Sequence, residues 1–375
     1  MPKNLYLKGI NYFSQNNFSQ GFDCIREASQ LDYLPAIKEM GLCYLHGIGV
    51  DSNLDKAINF FKQSKKNPES QFELCKLFYF GYGVKKNRSK AKKLLIKSVK
   101  NNYSPALNLM AVCYQIAEKA KKTHKLLSQS FYNNNRFAVY LYSIKKLILI
   151  DTKLKFCKNF KWPSFNKLKK RKYHNHQPDI FQINHLLSEI ECEYIKFASA
   201  PYMRPSMTVD PETGKHVKDT IRTSFSASLD WLSEDPAINL IIKKSCKNLS
   251  VKAIQSETMH VLHYSTGQEY KPHYDFFGGV SSKGKFKPEQ QRIKTICLYL
   301  NDVEEGGQTS FPKLNKIVEA QCGNGVFFDN INSKNNQPYI ESLHAGMPVL
   351  QGEKWLATLW IHDKNTNRGP NYESI

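Results

Sequence analysis

The feature that most constrains this chain is a period. Gly47-x-Gly49-Val50 recurs as Gly81-x-Gly83-Val84, Ala57 as Ala91, Phe61 as Leu95 and Ser64 as Ser98, each 34 residues on. A repeat of this length marks a stacked array, in which no unit buries its own apolar face and neighbours must cover one another. Within a unit, Ala36, Met40, Cys43 and Tyr44 fall on one helical face. The glycines at 47 and 49 stop that helix, because glycine takes the left-handed C-cap at little cost. Asp51 to Asp55 can start the next helix, and its Ala57, Phe60, Phe61 and Ser64 form a second stripe. Small Ala57 and Ala91 let two helices approach closely. Weaker copies stand at Gly21, Phe22, Ile25 and Ala28 and around 106–128, and Pro35-Ala36 returns as Pro105-Ala106. The pattern predicts an α-solenoid of helix–turn–helix units over residues 1–130.

This 34-residue pattern resembles the Sel-one-like class of tetratricopeptide-type repeats, a resemblance that implies a surface for binding protein or peptide. On that reading the repeats recruit a substrate, and a chain lacking residues 1–130 should still turn over short peptides.

With 375 residues the chain exceeds one ordinary core, so a second domain is expected. Its 41% hydrophobic and 23% charged content excludes a disordered chain. No apolar run approaches the roughly 20 residues of a spanning helix, and Met1 to Phe13 holds no continuous apolar stretch of the secretory kind. The nine cysteines are scattered and form no C-x-x-C, which argues against a disulfide framework and for a reducing, cytoplasmic setting.

The net charge of +21 is uneven: +12 over 1–130, +11 over 131–178 and −2 over 179–375. Such asymmetry suggests an acidic partner, with nucleic acid as the rival. Residues 136–150 read as a helix capping the solenoid, and the stretch to Pro178 as a basic linker. Within it, Lys169 to Lys172 could meet nucleic acid, and His174 with His176 lacks a third metal ligand.

From residue 179 the period changes to that of strands. Residues 179–199 read as a short strand, then a helix capped near Ser188. Strands are expected at 258–264, 270–276, 292–300, 308–311, 325–329, 340–344 and 354–362. That regularity predicts an antiparallel barrel or jelly roll. The fold class is therefore α+β and multidomain: repeats over 1–130, a capping helix and linker over 131–178, a barrel over 179–363 and a polar tail over 364–375.

The chemistry lies in the barrel. His273 and Asp275 are two apart, so in a strand they share a face. His344, at the end of another expected strand, supplies a third ligand. Two histidines and a carboxylate with open positions form the facial triad of non-heme iron(II) oxygenases; zinc is the competing metal. Lys354, Leu356, Thr358, Trp360 and His362 alternate along one strand and share a face. If that face looks inward, Lys354 is a confined ammonium that needs an anion. A keto acid chelating iron through its 1-carboxylate and 2-oxo group needs a cation for its far carboxylate. Lys354 fits that need, with the hydroxyls of Tyr264 and Thr295 beside it.

Four linked blocks carry a wider resemblance: "VLHYSTGQEYKPHYDFF", "RIKTICLYLNDVEEGGQTSFP", "GNGVFFDN" and "SLHAGMPVLQGEKWLATLWIH". They resemble the prolyl 4-hydroxylase alpha-subunit family of 2-oxoglutarate- and iron-dependent dioxygenases over about residues 180–363. The resemblance implies a double-stranded β-helix that binds Fe(II) through His273, Asp275 and His344 and 2-oxoglutarate through Lys354, Tyr264 and Thr295. It implies a substrate-proline pocket at Trp360 and His362, with Arg222 in a further shared segment. The implied reaction couples oxidative decarboxylation of 2-oxoglutarate by dioxygen to hydroxylation of a C–H bond, with ascorbate as reductant. A proline-containing protein or peptide is the expected substrate. The alternatives are hydroxylation of another residue or a small molecule, or a repeat-based binding protein with an inactive barrel.

Overall fold

The computed structural model describes residues 1–145, 154–165, 168–209, 216–218, 221–277, 290–332, 335 and 337–366. Its first nine helices are α1 (Pro2–Ser14), α2 (Phe18–Gln30), α3 (Leu34–His46), α4 (Leu54–Gln63), α5 (Pro68–Phe80), α6 (Arg88–Lys100), α7 (Ser104–Ile116), α8 (Ala120–Tyr132) and α9 (Arg136–Lys145). They form helical pairs with the expected 34-residue offset from α3 to α5 and from α4 to α6. Prolines occupy the first turn of α3, α5 and α7, where the missing N–H costs nothing. Gly47 and Gly81 close α3 and α5 at φ of 69° and 92°. Gly49 has a second role: a Cβ there would lie 2.2 Å from the Phe18 carbonyl oxygen of the preceding unit. The helices after the turns start at Asn53 and Asn87, whose side chains accept from Lys56 N and Lys90 N. The degraded copies at both ends of the array fold as helical pairs too. The capping helix is described as far as Lys145; its expected continuation over 146–150 lies outside the described residues.

The remaining elements are β1 (Lys172–His176), β2 (Asp179–Ile183), α10 (Glu189–Ser199), β3 (Arg204–Pro205), β4 (Met207–Val209), β5 (His216–Lys218), β6 (Phe225–Leu229), α11 (Pro236–Asn248), β7 (Met259–Ser265), β8 (Tyr270–His273), β9 (Arg292–Tyr299), β10 (Glu305–Gly306), β11 (Thr309–Phe311), β12 (Lys316–Val318), β13 (Gly325–Asp329), β14 (His344–Gly346), β15 (Val349–Gln351) and β16 (Glu353–His362). An eight-stranded antiparallel sheet runs β1-β2-β13-β9-β16-β7-β6-β3, and a four-stranded sheet runs β12-β11-β14-β8. Ile180, Leu262, Tyr299, Phe311, Val326, Phe328 and Leu356 pack together in one core of the barrel. Ser188 caps α10 in a reciprocal box with Glu191. The sheet begins seven residues earlier than expected, because β1 pairs with β2. The basic run before it is tied down: Arg171 donates to Asn248 O at 2.6 Å and lies over the Phe181 ring, and the Lys169 ammonium donates to His185 O. Of the tail expected over 364–375, the part from 367 on lies outside the described residues.

The repeats and the barrel share one core. Helix α11 packs on α5 and α7, and α10 packs on α7 and α9. Apolar residues run without a break from Leu45 and Phe72 through Met110 and Leu240 to Val261, Leu298 and Leu359 on the large sheet. Helix α5 is consequently buried from Ser70 to Phe80 except at Lys76, and α7 from Ala106 to Tyr114. Phe137 meets Tyr194 with ring centroids 5.3 Å apart, and Tyr79 donates to Asn239 at 3.3 Å. The segment expected to be a plain linker is pinned as well. Trp162 packs edge-on against Tyr79 and Phe160 and donates its indole N–H to Arg88 O.

Candidate active site

The two histidines meet through a strand pair. In the β8–β14 ladder His273 stands directly opposite His344, and their ring centroids are 4.2 Å apart. Strand β8 ends at His273, so Asp275 lies just beyond it rather than within a strand over 270–276. The chain still brings the three together. Asp275 Oδ1 is 3.7 Å from His273 Nε2, and Oδ2 is 3.5 Å from His344 Nε2. One ligand atom from each lies within 4.8 Å of the others.

The surroundings prepare these atoms to hold a cation. His273 Nδ1 lies 2.9 Å from Lys271 O and His344 Nδ1 lies 3.0 Å from Ser342 O. A carbonyl can only accept, so both Nδ1 atoms carry a proton and each Nε2 is left facing Asp275. Burial, with His344 beside it, pulls His273 down to about 3, so its imidazole is neutral at neutral pH. Burial opposes ionisation of Asp275, yet the imidazoles, Arg292 and a hydrogen bond from Thr295 outweigh it and hold the carboxyl below its ordinary range. Two imidazoles and one carboxylate, with room for further ligands, suit iron(II).

Lys354 on β16 points into the same cavity, which is lined also by Arg222, Tyr264, Cys297, Thr309, Thr358 and Trp360. It is 2% exposed, and its ammonium lies 5.7 Å from the ring centres of both Tyr264 and Tyr299. Among the described residues no carboxylate pairs with it. Burial draws its pKa down to about 8. A buried cation that opens on the triad and has no carboxylate partner among the described residues suits a small anion.

Thr295 stands elsewhere than expected. The β16–β9 ladder sets Trp360 opposite Thr295 and Leu356 opposite Tyr299. Thr295 is therefore level with a position six residues along β16 from Lys354, roughly 20 Å at about 3.3 Å per residue. Its hydroxyl donates to Asp275 Oδ2 at 2.7 Å. The hydroxyl near Lys354 belongs instead to Thr309, which accepts from Tyr299 OH at 2.7 Å. Sequence reasoning missed Thr309, although the Gly306-Gly307 turn in front of it aims that strand at the cavity.

Of the other expected residues, Arg222 and Trp360 line the cavity. Arg222 donates to Met207 O at 2.9 Å and lies over the Tyr270 ring. His362 does not join that lining. The ladder slips between Ile361 and His362, and His362 Nε2 sits 2.6 Å from Glu257 Oε1. Glu257 also takes a two-pronged contact from Arg292, whose guanidinium lies 3.9 Å from the centre of the Trp360 ring. Arg292 and Glu257 were not foreseen, though Arg292 opens one of the quoted blocks.

Comparison with known proteins agrees with this geometry. Residues 259–362 match the 2OG-Fe(II) oxygenase superfamily, and 34–67 and 68–103 each match a Sel1 repeat. The chain is 34% identical over 205 residues to probable prolyl 4-hydroxylase 3 of Arabidopsis thaliana, covering 50% of this chain and 70% of that protein. It is 36% identical over 204 residues to prolyl 4-hydroxylase 1 of the same plant, covering 51% and 71%. Among solved structures, the viral collagen prolyl hydroxylase of Paramecium Bursaria Chlorella virus-1 is 29% identical over 49% of this chain and 95% of its own, with a TM-score of 0.38. Barrel and site define a 2-oxoglutarate- and iron(II)-dependent dioxygenase. Within that class the chain belongs to the prolyl 4-hydroxylase family, and it carries Sel1 repeats ahead of the barrel. No helix among the described residues is long and apolar enough to cross a membrane.

Proposed function

We propose that this enzyme hydroxylates C4 of proline in a protein or peptide, with iron(II) on His273, Asp275 and His344 and 2-oxoglutarate on Lys354. The observation that carries the reading is the buried, unpaired Lys354 ammonium sharing one cavity with the triad. The bound iron would supply the oxidising chemistry: dioxygen and 2-oxoglutarate give succinate and carbon dioxide, and the second oxygen atom enters the C–H bond. The chain's own residues do the rest. Lys354 pairs with the far carboxylate, and Tyr264 and Thr309 offer hydroxyls beside it. Trp360 and Arg222 wall the substrate end, while the Arg292–Glu257–His362 cluster braces the Trp360 ring at the mouth. Ascorbate would return iron oxidised in turnover without substrate to the ferrous state.

The partner in this reading is a proline-bearing protein with acidic segments. Lys62, Lys65, Lys66, Lys93, Lys97 and Lys100 are all exposed on α4, α6 and the turn between the repeats. The nine cysteines are all free thiols, which supports a reducing, cytoplasmic setting. Succinate release with Fe(II), measured with and without proline-rich peptide, tests the reaction, and a gain of one oxygen on proline identifies the product. Asp275→Ala should abolish succinate formation and leave the fold intact; full turnover in that variant would remove the triad from the chemistry. Succinate release with oxygen placed on another residue, or stimulated by a small molecule alone, would shift the substrate. A salt-sensitive oligonucleotide complex would give the basic face to nucleic acid.

A further inference from the structure

We infer that Thr295, backed by Asn330, is a positioning residue that restricts Asp275 to one-oxygen ligation of the metal. This rests on the reading of His273, Asp275 and His344 as the iron site. The number of protons available fixes the direction of each bond. An ionised Asp275 can only accept hydrogen bonds, and Thr295 has a single hydroxyl proton. At 2.7 Å that proton belongs to Asp275 Oδ2. Asn330 Nδ2 lies 2.9 Å from Thr295 Oγ1 and must therefore donate to it. Both residues are 0% exposed, so water cannot substitute in either contact. The orientation has a cost: among the described residues the buried Asn330 Oδ1 has no hydrogen-bond partner. The Asn330 backbone that carries this side chain is fixed from both sides, since Asn330 N donates to Ile293 O and Asn330 O accepts from Tyr339 N.

The relay assigns different work to the two carboxylate oxygens. Oδ2 gives one of its lone pairs to the Thr295 proton and lies 3.5 Å from His344 Nε2. Among the described residues Oδ1 takes no hydrogen bond, and it lies 3.7 Å from His273 Nε2. A metal would be ligated through Oδ1, which keeps all its lone pairs, while the proton on Oδ2 weakens that oxygen as a second ligand. A chelating carboxylate would take a further position, and a site that must admit a two-pronged keto acid and a gas needs every open one. Thr295 acts through Asp275 and touches no substrate, so it orients rather than reacts.

The test is anaerobic titration of the full chain with Fe(II) in the presence of 2-oxoglutarate, followed by the visible charge-transfer band of that complex. Unfolding of the metal-free protein is measured alongside. Thr295→Val keeps the shape and removes the proton; it should weaken Fe(II) binding about 10- to 100-fold, the usual effect of losing a partner of a metal ligand. It should also move the band maximum, because the carboxylate is free to chelate. Thr295→Ser restores the hydroxyl and should bind within about threefold of the parent. Asn330→Ala frees the hydroxyl to turn away and should fall between the two; if Thr295→Val does not fold, this variant decides. Binding by Thr295→Val within about threefold of the parent, with an unmoved band, would overturn the positioning role and leave the triad reading standing. Absence of any Fe(II) complex in the parent would overturn both.

Discussion

The inner and outer helices of the repeats bury themselves in different ways. Helices α4, α6 and α8 keep an exposed, lysine-bearing side, whereas α5 and α7 are enclosed almost all round. The difference arises because α10 and α11 of the barrel occupy the face that a free array would offer to a ligand. The first three helices differ again. Phe22, Ile25, Ala36, Met40 and Cys43 form a small separate core next to exposed Leu7, Leu31 and Leu34. From α5 onward, then, the array is part of the enzyme's own core. In the proposed reading, recruitment of a substrate would fall to the outer lysines and the first helices.

The largest effect expected from that comparison is the loss of the whole protein when the array is removed. Deleting residues 1–130 strips the cover from Leu240, Ile241 and Tyr194, so the remaining barrel should be insoluble or unfolded. The deletion that a separable recruiting module would tolerate is therefore not expected to be tolerated. Removing only residues 1–30 should leave a folded enzyme with full turnover of short peptides. Soluble expression and succinate release separate the two cases, and an active fragment beginning at residue 131 would show that the shared core is dispensable.

A single side chain sharpens the same point. Phe137, 0% exposed, joins α9 to Tyr194 and Phe197 of α10. Phe137→Ala should cost about 3–5 kcal/mol. Repeats and barrel should still unfold together in one transition, with the 2-oxoglutarate requirement unchanged below it. Two separate transitions in calorimetry would mean that the two regions fold independently.

How much of this was legible depends on whether a residue's role is fixed by its neighbours in sequence or by a register. The glycine turns and the stripe beginning at Ala57 are local, and they appear where the 34-residue period places them. His273, Asp275 and His344 converge as their types suggest, although Asp275 reaches the site from beyond a strand end. Thr295 and Thr309 show the limit. Both are threonines on strands bordering the lumen, and alternation makes them equivalent. Only the pairings separate them: the β9–β16 register carries Thr295 away from Lys354 to Asp275, while Thr309, on β11, reaches the cavity that Lys354 lines. His362 fails for a related reason: one slip in the ladder separates it from the face it shares by parity. The burial of α5 and α7 had no signal in the repeat, because a period specifies the unit and not what lies against it.

Within the barrel the expected effects are smaller and fall on binding. Lys354→Ala should raise the 2-oxoglutarate requirement roughly 10- to 150-fold, the equivalent of about 1.5–3 kcal/mol for a charged hydrogen bond. Stability should not fall, since the variant removes a buried charge that has no carboxylate partner among the described residues. A lower unfolding midpoint in Lys354→Ala, with an unchanged requirement, would make this lysine structural and place the anion elsewhere.

The smallest effect is a dependence on pH, and its sign follows from the same burial. In the anion-free enzyme the Lys354 ammonium loses its proton near pH 8. The carboxylate binds the charged form, so below that pH the site is ready. Above it, each further pH unit leaves about one tenth as much charged lysine, and KM for 2-oxoglutarate should rise up to about tenfold per unit. A bound carboxylate favours the ammonium and raises its pKa, so kcat at saturating 2-oxoglutarate should hold over pH 8–9 while kcat/KM falls. Lys354→Arg separates this from other titrations. Guanidinium stays charged throughout, so that variant should have a KM raised by misfit yet constant over the range. The asymmetry between the regions then becomes measurable: changes in the shared core move the unfolding midpoint, whereas titration of Lys354 moves KM for 2-oxoglutarate. A wild-type KM flat from pH 7 to 9, or a slope that persists unchanged in Lys354→Arg, would show that another group controls the anion.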